Sequence, residues 1–259
     1  MTAELLATRQ DETLVLTLSN PGARNALYPD MFAAGIEAVD SAERDPSIRA
    51  VVVTGADHFF CAGGDLHWLL GQRAKDAKAQ TQAIELFGNW VASLKALSKP
   101  AIAAVDGAAA GGGFALALAC DLIVAGDNAR FMTAYAQIGL TPDGGSSWLL
   151  PRALPSQLAL ELLLEGKGVD ATRLYQLGVV NRLVRPGTAL ETALEWAREL
   201  SRLSPEVTRR VKRLVDQSST LEFGAHLVVE TDEFVTSLRH RDSQEGITAF
   251  LEKRAPRYK

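Results

Sequence analysis

The chain has 259 residues, 47% of them hydrophobic, which is enough for one large packed domain. Its formal net charge of −4 gives no bulk attraction to nucleic acid or anionic membrane, and it has no apolar run of the roughly 18 residues that a membrane-spanning helix needs. Two cysteines (Cys61, Cys120) and four scattered histidines (His58, His67, His226, His240) fall at no metal-ligand spacing, and residues 1–10 lack a secretory apolar segment, so no metal site and a reduced, cytoplasmic setting are expected.

Alternating, partly β-branched residues at 13–18 predict a strand that Asn20-Pro21-Gly22 closes. Pro29 and Asp30 open a helix expected to reach about residue 43, with Met31, Ile36 and Val39 on one side. Residues 50–54 read as a buried strand. Phe59-Phe60-Cys61-Ala62-Gly63-Gly64 then runs into a helix that starts at Asp65 or Leu66. Residues 75–82 are polar and read as a surface segment, and 84–97 carry apolar residues at helical spacing until Ser98-Lys99-Pro100 stops them. Strands are expected at 101–105 and 122–125, flanking an apolar helix at 114–120. Short helices follow at 146–150, 155–165 and 171–177, with a last strand at 179–183. From about residue 186 the chain is helical and increasingly charged. The expected division is therefore 1–185 and 186–259, with no flexible linker between. Strand, turn and helix recur near 13–43, 50–70, 101–119 and 122–138.

The join at Val105-Asp106-Gly107-Ala108-Ala109-Ala110-Gly111-Gly112-Gly113 organises the rest. Glycines there let the backbone bend and approach a ligand. The first N–H groups of the following helix lack internal partners, and the helix dipole adds partial positive charge. The combination suits a negative oxygen. It is not a dinucleotide fingerprint, since Leu116 stands three places after Gly113, nor a phosphate loop, since no Gly-Lys-Ser/Thr follows. These residues alone leave open a plain helix–strand packing joint. Gly144-Gly145-Ser146-Ser147 lacks the spacing of a serine-hydrolase elbow.

Several stretches together resemble the crotonase (enoyl-CoA hydratase/isomerase) superfamily. They are Pro21…Arg24-Asn25-Ala26-Leu27, Phe60-Cys61-Ala62-Gly63-Gly64-Asp65-Leu66, the triple-glycine join, Ile138-Gly139-Leu140-Thr141-Pro142-Asp143, and Glu245-Gly246 through Arg254. They span the chain in order. The resemblance implies an α/β fold, a right-handed spiral of ββα units with a C-terminal helical part that caps the core and mediates trimers or dimers of trimers. It also implies an acyl-CoA thioester substrate from the breakdown of fatty or aromatic acids. No separate cofactor is expected, because coenzyme A belongs to the substrate. The oxyanion hole would be the backbone N–H groups of Gly64 and Gly112, holding an enolate oxygen without having to reorganise. CoA contacts carry over to Arg24, Ala26, Ala62, Asp65, Leu66, His67, Tyr135, Phe234 and Lys253, with Asp65 also placed to cap a helix.

The pattern departs from the hydratases of this family at both of their glutamates, where this chain has Ala115 and Tyr135. Adding water needs one group to activate it and another to protonate carbon, and neither residue suits that work. Asp143 matches the position where isomerase-type and dehalogenase-type members place a carboxylate. Its alternative reading is a helix cap. Double-bond isomerisation by proton shuttle is therefore expected, closest to the isomerases and ring-opening enzymes of phenylacetate-type degradation. Hydratase or oxepin-CoA-type hydrolase activity, covalent attack by the carboxylate, and a non-catalytic acyl-CoA binder are the alternatives. Phe87, Trp90 and Trp148 are candidates for an apolar lining around Asp143, or for plain core. The run Arg209-Arg210-Val211-Lys212-Arg213 has no interleaved aromatics and reads as a solvated helix face rather than a nucleic-acid site.

Overall fold

A computed structural model describes residues 3–57 and 59–258, so His58 lies outside the described residues. The chain opens with an antiparallel pair, β1 (Glu4–Gln10) and β2 (Thr13–Ser19), turned by Asp11 in the left-handed region at φ 53°. The first of these was not expected, and its burial explains why: β1 is an exposed edge strand with no apolar face to advertise it. Helix α1 (Pro29–Arg44) follows, then β3 (Ala50–Gly55). Helix α2 (Leu66–Gln72) is capped by the Asp65 carboxylate, which accepts from Trp68 N–H at 2.8 Å. Helix α3 (Ala77–Ala96) is capped by Asp76, so the polar surface stretch at 75–82 is largely the exposed start of that helix. Next come β4 (Ala101–Val105), β5 (Ala108–Ala110) and α4 (Gly112–Ala119), which starts two residues earlier than expected. They are followed by β6 (Leu122–Gly126), β7 (Arg130–Met132) and a 3-10 turn at Ala136–Ile138. Helices α5 (Ser146–Ala153) and α6 (Ser156–Glu165), the short strand β8 (Val169–Asp170) and α7 (Ala171–Gln176) lead to β9 (Arg182–Val184), later than the expected strand at 179–183. Four helices end the chain: α8 (Ala189–Ser201), α9 (Pro205–Gln217), α10 (Phe223–Arg239) and α11 (Arg241–Leu251).

The main sheet runs β1-β2-β3-β4-β6-β9 and is parallel from β2 onward. Its central strands are buried on both faces, which is why they read as continuous apolar runs. Val51, Val53, Ala101, Ala103 and Val105 face the larger core with α1, α3 and α4. Ala50, Val52, Ile102 and Ala104 face Ala189, Ala193, Leu194 and Ala197 of α8. Helix α8, on the C-terminal side of the expected division at 185/186, thus covers the second face of the main sheet. A smaller sheet, β5-β7-β8, stacks beside the first. Isolated parallel bridges extend its line, Cys61 with Ala109 and Leu27 with Gly64. Each winding of the chain therefore lays one strand in the large sheet, one short segment in the small one, and then a helix.

Helices α9 to α11 bury little: Glu233, Asp242 and Ala249 are their only buried positions among the described residues. The basic run of α9 is partly exposed, but its cations are paired. Arg209 and Arg210 pair with Glu206, Arg210 and Arg213 with the buried Glu233 of α10, and Lys212 with Asp121 at 2.5 Å and the Lys99 carbonyl at 2.7 Å. These cations fasten α9 to α10 and to the core.

Candidate active site

Two loops meet where the small-sheet line crosses the start of α4. The first is positioned by Asn25, buried and left-handed at φ 57°, a conformation Asn tolerates better than most residues. Its side-chain amide donates to the carbonyls of Ala56 and Phe59 at 2.8 and 2.7 Å, and its oxygen accepts from Asn20 N–H at 3.1 Å. Asn25 thereby ties the 20–27 turn to the approach of the glycine pair. The motif Arg24-Asn25-Ala26-Leu27 was legible in the sequence, but the latching role of Asn25 was not. In the parallel bridge, Leu27 N–H donates to the Gly63 carbonyl (2.7 Å) and Asp65 N–H to the Leu27 carbonyl (3.0 Å), which leaves the intervening Gly64 N–H outside the ladder.

The second loop is the triple glycine. Gly112 is the first residue of α4, so its N–H has no acceptor within the helix. The loops touch because side chains are missing. A Cβ on Gly63 would sit 2.9 Å from the Ala110 carbonyl oxygen, and one on Gly113 would sit 2.8 Å from the Cys61 carbonyl oxygen. Both obstacles are backbone, so neither loop can carry a side chain there without being pushed away.

Gly64 and Gly112 line one cleft of about 390 Å³. Its other walls are Leu27, Phe32, Leu66, Trp68, Leu69, Ile84, Phe87, Ile138 and Leu140, with Thr133, Tyr135, Thr141 and Asp143 as the polar side chains. Asp143 is the only carboxylate among the described lining residues, and none of them is a cation. Its carboxylate does not cap α5. The N-cap position is Gly145, and Ser146 N–H donates instead to the Asp143 main-chain carbonyl at 3.1 Å. The Asp143 carboxylate accepts a hydrogen bond from the Tyr135 hydroxyl at 2.7 Å. Burial pushes the Asp143 carboxyl above its ordinary range, and the Tyr135 hydrogen bond pulls the other way. Burial and the neighbouring carboxylate hold the Tyr135 phenol well above its ordinary value, so it remains a donor.

Of the other residues singled out in the sequence, Ala62 and Leu66 line the cleft. Asp65 holds the cap of α2. Ala26 is buried, with its N–H bonded to the Ala23 carbonyl (3.1 Å) and its carbonyl to the Asn20 side chain (2.8 Å). Arg24 is exposed, its guanidinium 5.3 Å from the Phe59 ring centroid. His67, Phe234 and Lys253 are exposed and lie outside the cleft lining. Ala115 is buried in α4 beneath Gly144. The three candidate aromatics divide. Phe87 lines the cleft, Trp90 is fully buried core against Phe32, and Trp148 is half-exposed with Arg152 stacked 3.7 Å over its ring. The Tyr135–Asp143 hydrogen bond was not foreseen, although both residues were named.

The profile of the family described as enoyl-CoA hydratase/isomerase matches residues 8–259. The chain is similar to the 2,3-dehydroadipyl-CoA hydratase of Escherichia coli (strain K12), 36% identical over 261 residues that cover 99% of each chain. It is 35% identical over 246 residues to the 1,2-epoxyphenylacetyl-CoA isomerase of the same strain, covering 95% of this chain and 94% of that one. A solved enoyl-CoA hydratase from Polaromonas sp. JS666 matches it with a TM-score of 0.97 and 48% identity, over 99% of this chain and all of that one.

Proposed function

The chain belongs to the enoyl-CoA hydratase/isomerase family, and on that premise we propose that it moves a double bond within an unsaturated acyl-CoA by a one-carboxylate proton shuttle. Its fold is the crotonase-type spiral, and enzymes of this family act on acyl-CoA thioesters. The observation that carries the finer reading is Asp143, a lone, partly buried carboxylate in the cleft that Gly64 and Gly112 line, while Ala115 and Tyr135 stand where the sequence resemblance puts the two hydratase glutamates.

The thioester carbonyl oxygen accepts from the N–H groups of Gly64 and Gly112. Asp143 takes a proton from the γ-carbon, and the electron pair moves through the former double bond to that oxygen. The same carboxyl returns the proton to the α-carbon. Nothing is added or lost, so one carboxyl suffices. Burial that raises the Asp143 proton affinity makes it a better base for a weak carbon acid. An apolar wall without cations fits an acyl group that is itself apolar and uncharged. Arg24, Ala62, Leu66 and His67 are the contacts proposed for the pantetheine and nucleotide parts, with Phe234 and Lys253 supplied across a trimer contact.

A second reading, hydration, is favoured by the names of two relatives. A panel of 2-enoyl- and 3-enoyl-CoA isomers separates them, because a shifted double bond marks the isomerase and a 3-hydroxyacyl product marks the hydratase. Asn in place of Asp143 still accepts from Tyr135, so stability should change by less than about 1 kcal/mol. Turnover of Asp143→Asn should fall by about 10²–10⁴. Ordinary turnover by that variant refutes the proposal.

A further inference from the structure

Tyr135 is held more firmly than a residue that merely fills space needs to be. Ala134 before it is left-handed, at φ 50°, and Tyr135 N–H reaches back to the Thr133 carbonyl at 2.6 Å. This is the tight, strained three-residue turn that an L-residue rarely adopts. On the other side the Tyr135 carbonyl accepts from both Ile138 N–H and Leu140 N–H at 3.0 Å. The backbone is thus fixed from both directions, and the result is a phenol aimed into the cleft. Its ring passes Gly111, where an added Cβ would stand 3.6 Å from Tyr135 Cζ. Its hydroxyl ends on Asp143 Oδ1.

We propose that Tyr135 is the positioning residue of this site: its hydroxyl pins one oxygen of Asp143 and leaves the other as the sole carrier of hydrogen between substrate carbons. The inference rests on the isomerase reading above and adds what orients its base. A free carboxylate turns about its Cβ–Cγ bond and presents either oxygen. A carboxylate with Oδ1 tied down presents Oδ2 in one direction. Such a shuttle must lift a proton from one carbon and set it down two carbons away without turning, so a fixed oxygen placed between the two shortens both transfers. Oδ2 gains the proton as the γ C–H bond breaks and loses it as the α C–H bond forms, while the phenol keeps its own proton throughout.

The same bond sets the pH at which the base is competent. A hydrogen bond to the ionised form lowers a carboxyl's proton affinity. Among the described residues lining the cleft, no side chain other than Tyr135 and Asp143 titrates. Helix α5, packed behind Asp143, presents the Ser146 hydroxyl, which donates to the Asp143 main-chain carbonyl at 3.1 Å. Helix α4 presents Ala115. Removing the phenolic hydroxyl therefore leaves burial opposed only by the hydrogen bond from the Asp143 main-chain N–H. The Asp143 inflection then rises, and activity at the acid end is lost first.

The test is Tyr135→Phe, with steady-state kinetics on an enoyl-CoA isomer across pH, binding of a saturated acyl-CoA, and thermal unfolding. We expect kcat to fall by about 10- to 100-fold, from loss of a hydrogen bond to a charged group. KM and saturated acyl-CoA affinity should stay within about twofold, since a hydrogen bond that acts in the chemical step leaves ground-state binding alone. The acid-side inflection should move up by about one pH unit. Either an unchanged kcat with the inflection in place, or a loss confined to KM and ligand affinity with no pH shift, overturns the positioning role while leaving the isomerase reading intact. Normal turnover by Asp143→Asn overturns both.

Discussion

Gly112→Ala separates a catalytic helix N-terminus from a packing joint. The added methyl would lie 2.9 Å from Leu27 Cδ1 and 3.1 and 3.2 Å from Phe87 Cζ and Cε1. Comfortable carbon contacts begin at about 3.5 Å, so several tenths of an ångström of movement are required. Leu27 is 1% exposed and Phe87 3%, so neither can swing out to solvent. The two side-chain ends border the cleft and take up part of the movement there, and the first turn of α4 takes up the rest. Overpacking of this kind destabilises by about 1–3 kcal/mol. The larger effect should be kinetic, because a donor moved off the enolate oxygen loses most of its worth, and one lost oxyanion donor lowers kcat by about 10²–10³. The control is Gly88→Ala inside α3, where an added methyl meets nothing within 4 Å. It should stabilise by roughly 0.5–1 kcal/mol and leave kcat unchanged. Kinetics and thermal unfolding on both variants complete the measurement. A Gly112→Ala enzyme that is destabilised yet turns over at the normal rate refutes the oxyanion role and leaves only packing.

Two further outcomes follow from the cleft and core. A cleft whose described lining has no cation should reject a second carboxylate, so adipyl-CoA should bind at least about tenfold more weakly than hexanoyl-CoA of equal chain length; equal affinities by calorimetry would show that a cation reaches the acyl end. Both cysteines are buried, with the Cys61 thiol pushed up to about 12 by burial and Cys120 also raised. Neither should react with an aromatic disulfide reagent at neutral pH until the protein unfolds, and rapid labelling of the native protein contradicts that.

What the sequence made legible follows from where each signal resides. Buried parallel strands and the glycine joins announce themselves, because apolar runs and missing side chains are local properties. Strand β1 did not, since it carries no buried face. The polar first turns of α3 read only as a surface segment because their exposed side needs no apolar stripe, although Asp76 two residues before Lys78 was a readable cap. The pairing of the Arg209–Arg213 run was not legible because its partners stand far off in the chain, Glu233 on the next helix and Asp121 more than 80 residues away. Asp143 was named from its motif and lines the cleft, and its cap reading failed because Gly145 takes that place. The hydrogen bond to Tyr135 depends on a left-handed Ala134, which no local preference predicts.

The cleft has walls of unequal firmness. Its floor, the two glycine loops, is laced by bridges into the line of the small sheet β5-β7-β8, so the peptide dipoles there can shift only if that sheet loosens with them. Its outer side includes α2, which has no buried residue and hangs from the Asp65 cap. Opening such a segment is inexpensive compared with global unfolding. A bulky guest can therefore be admitted by parting the soft side, while the groups that must not move by even half an ångström stay where the chemistry needs them.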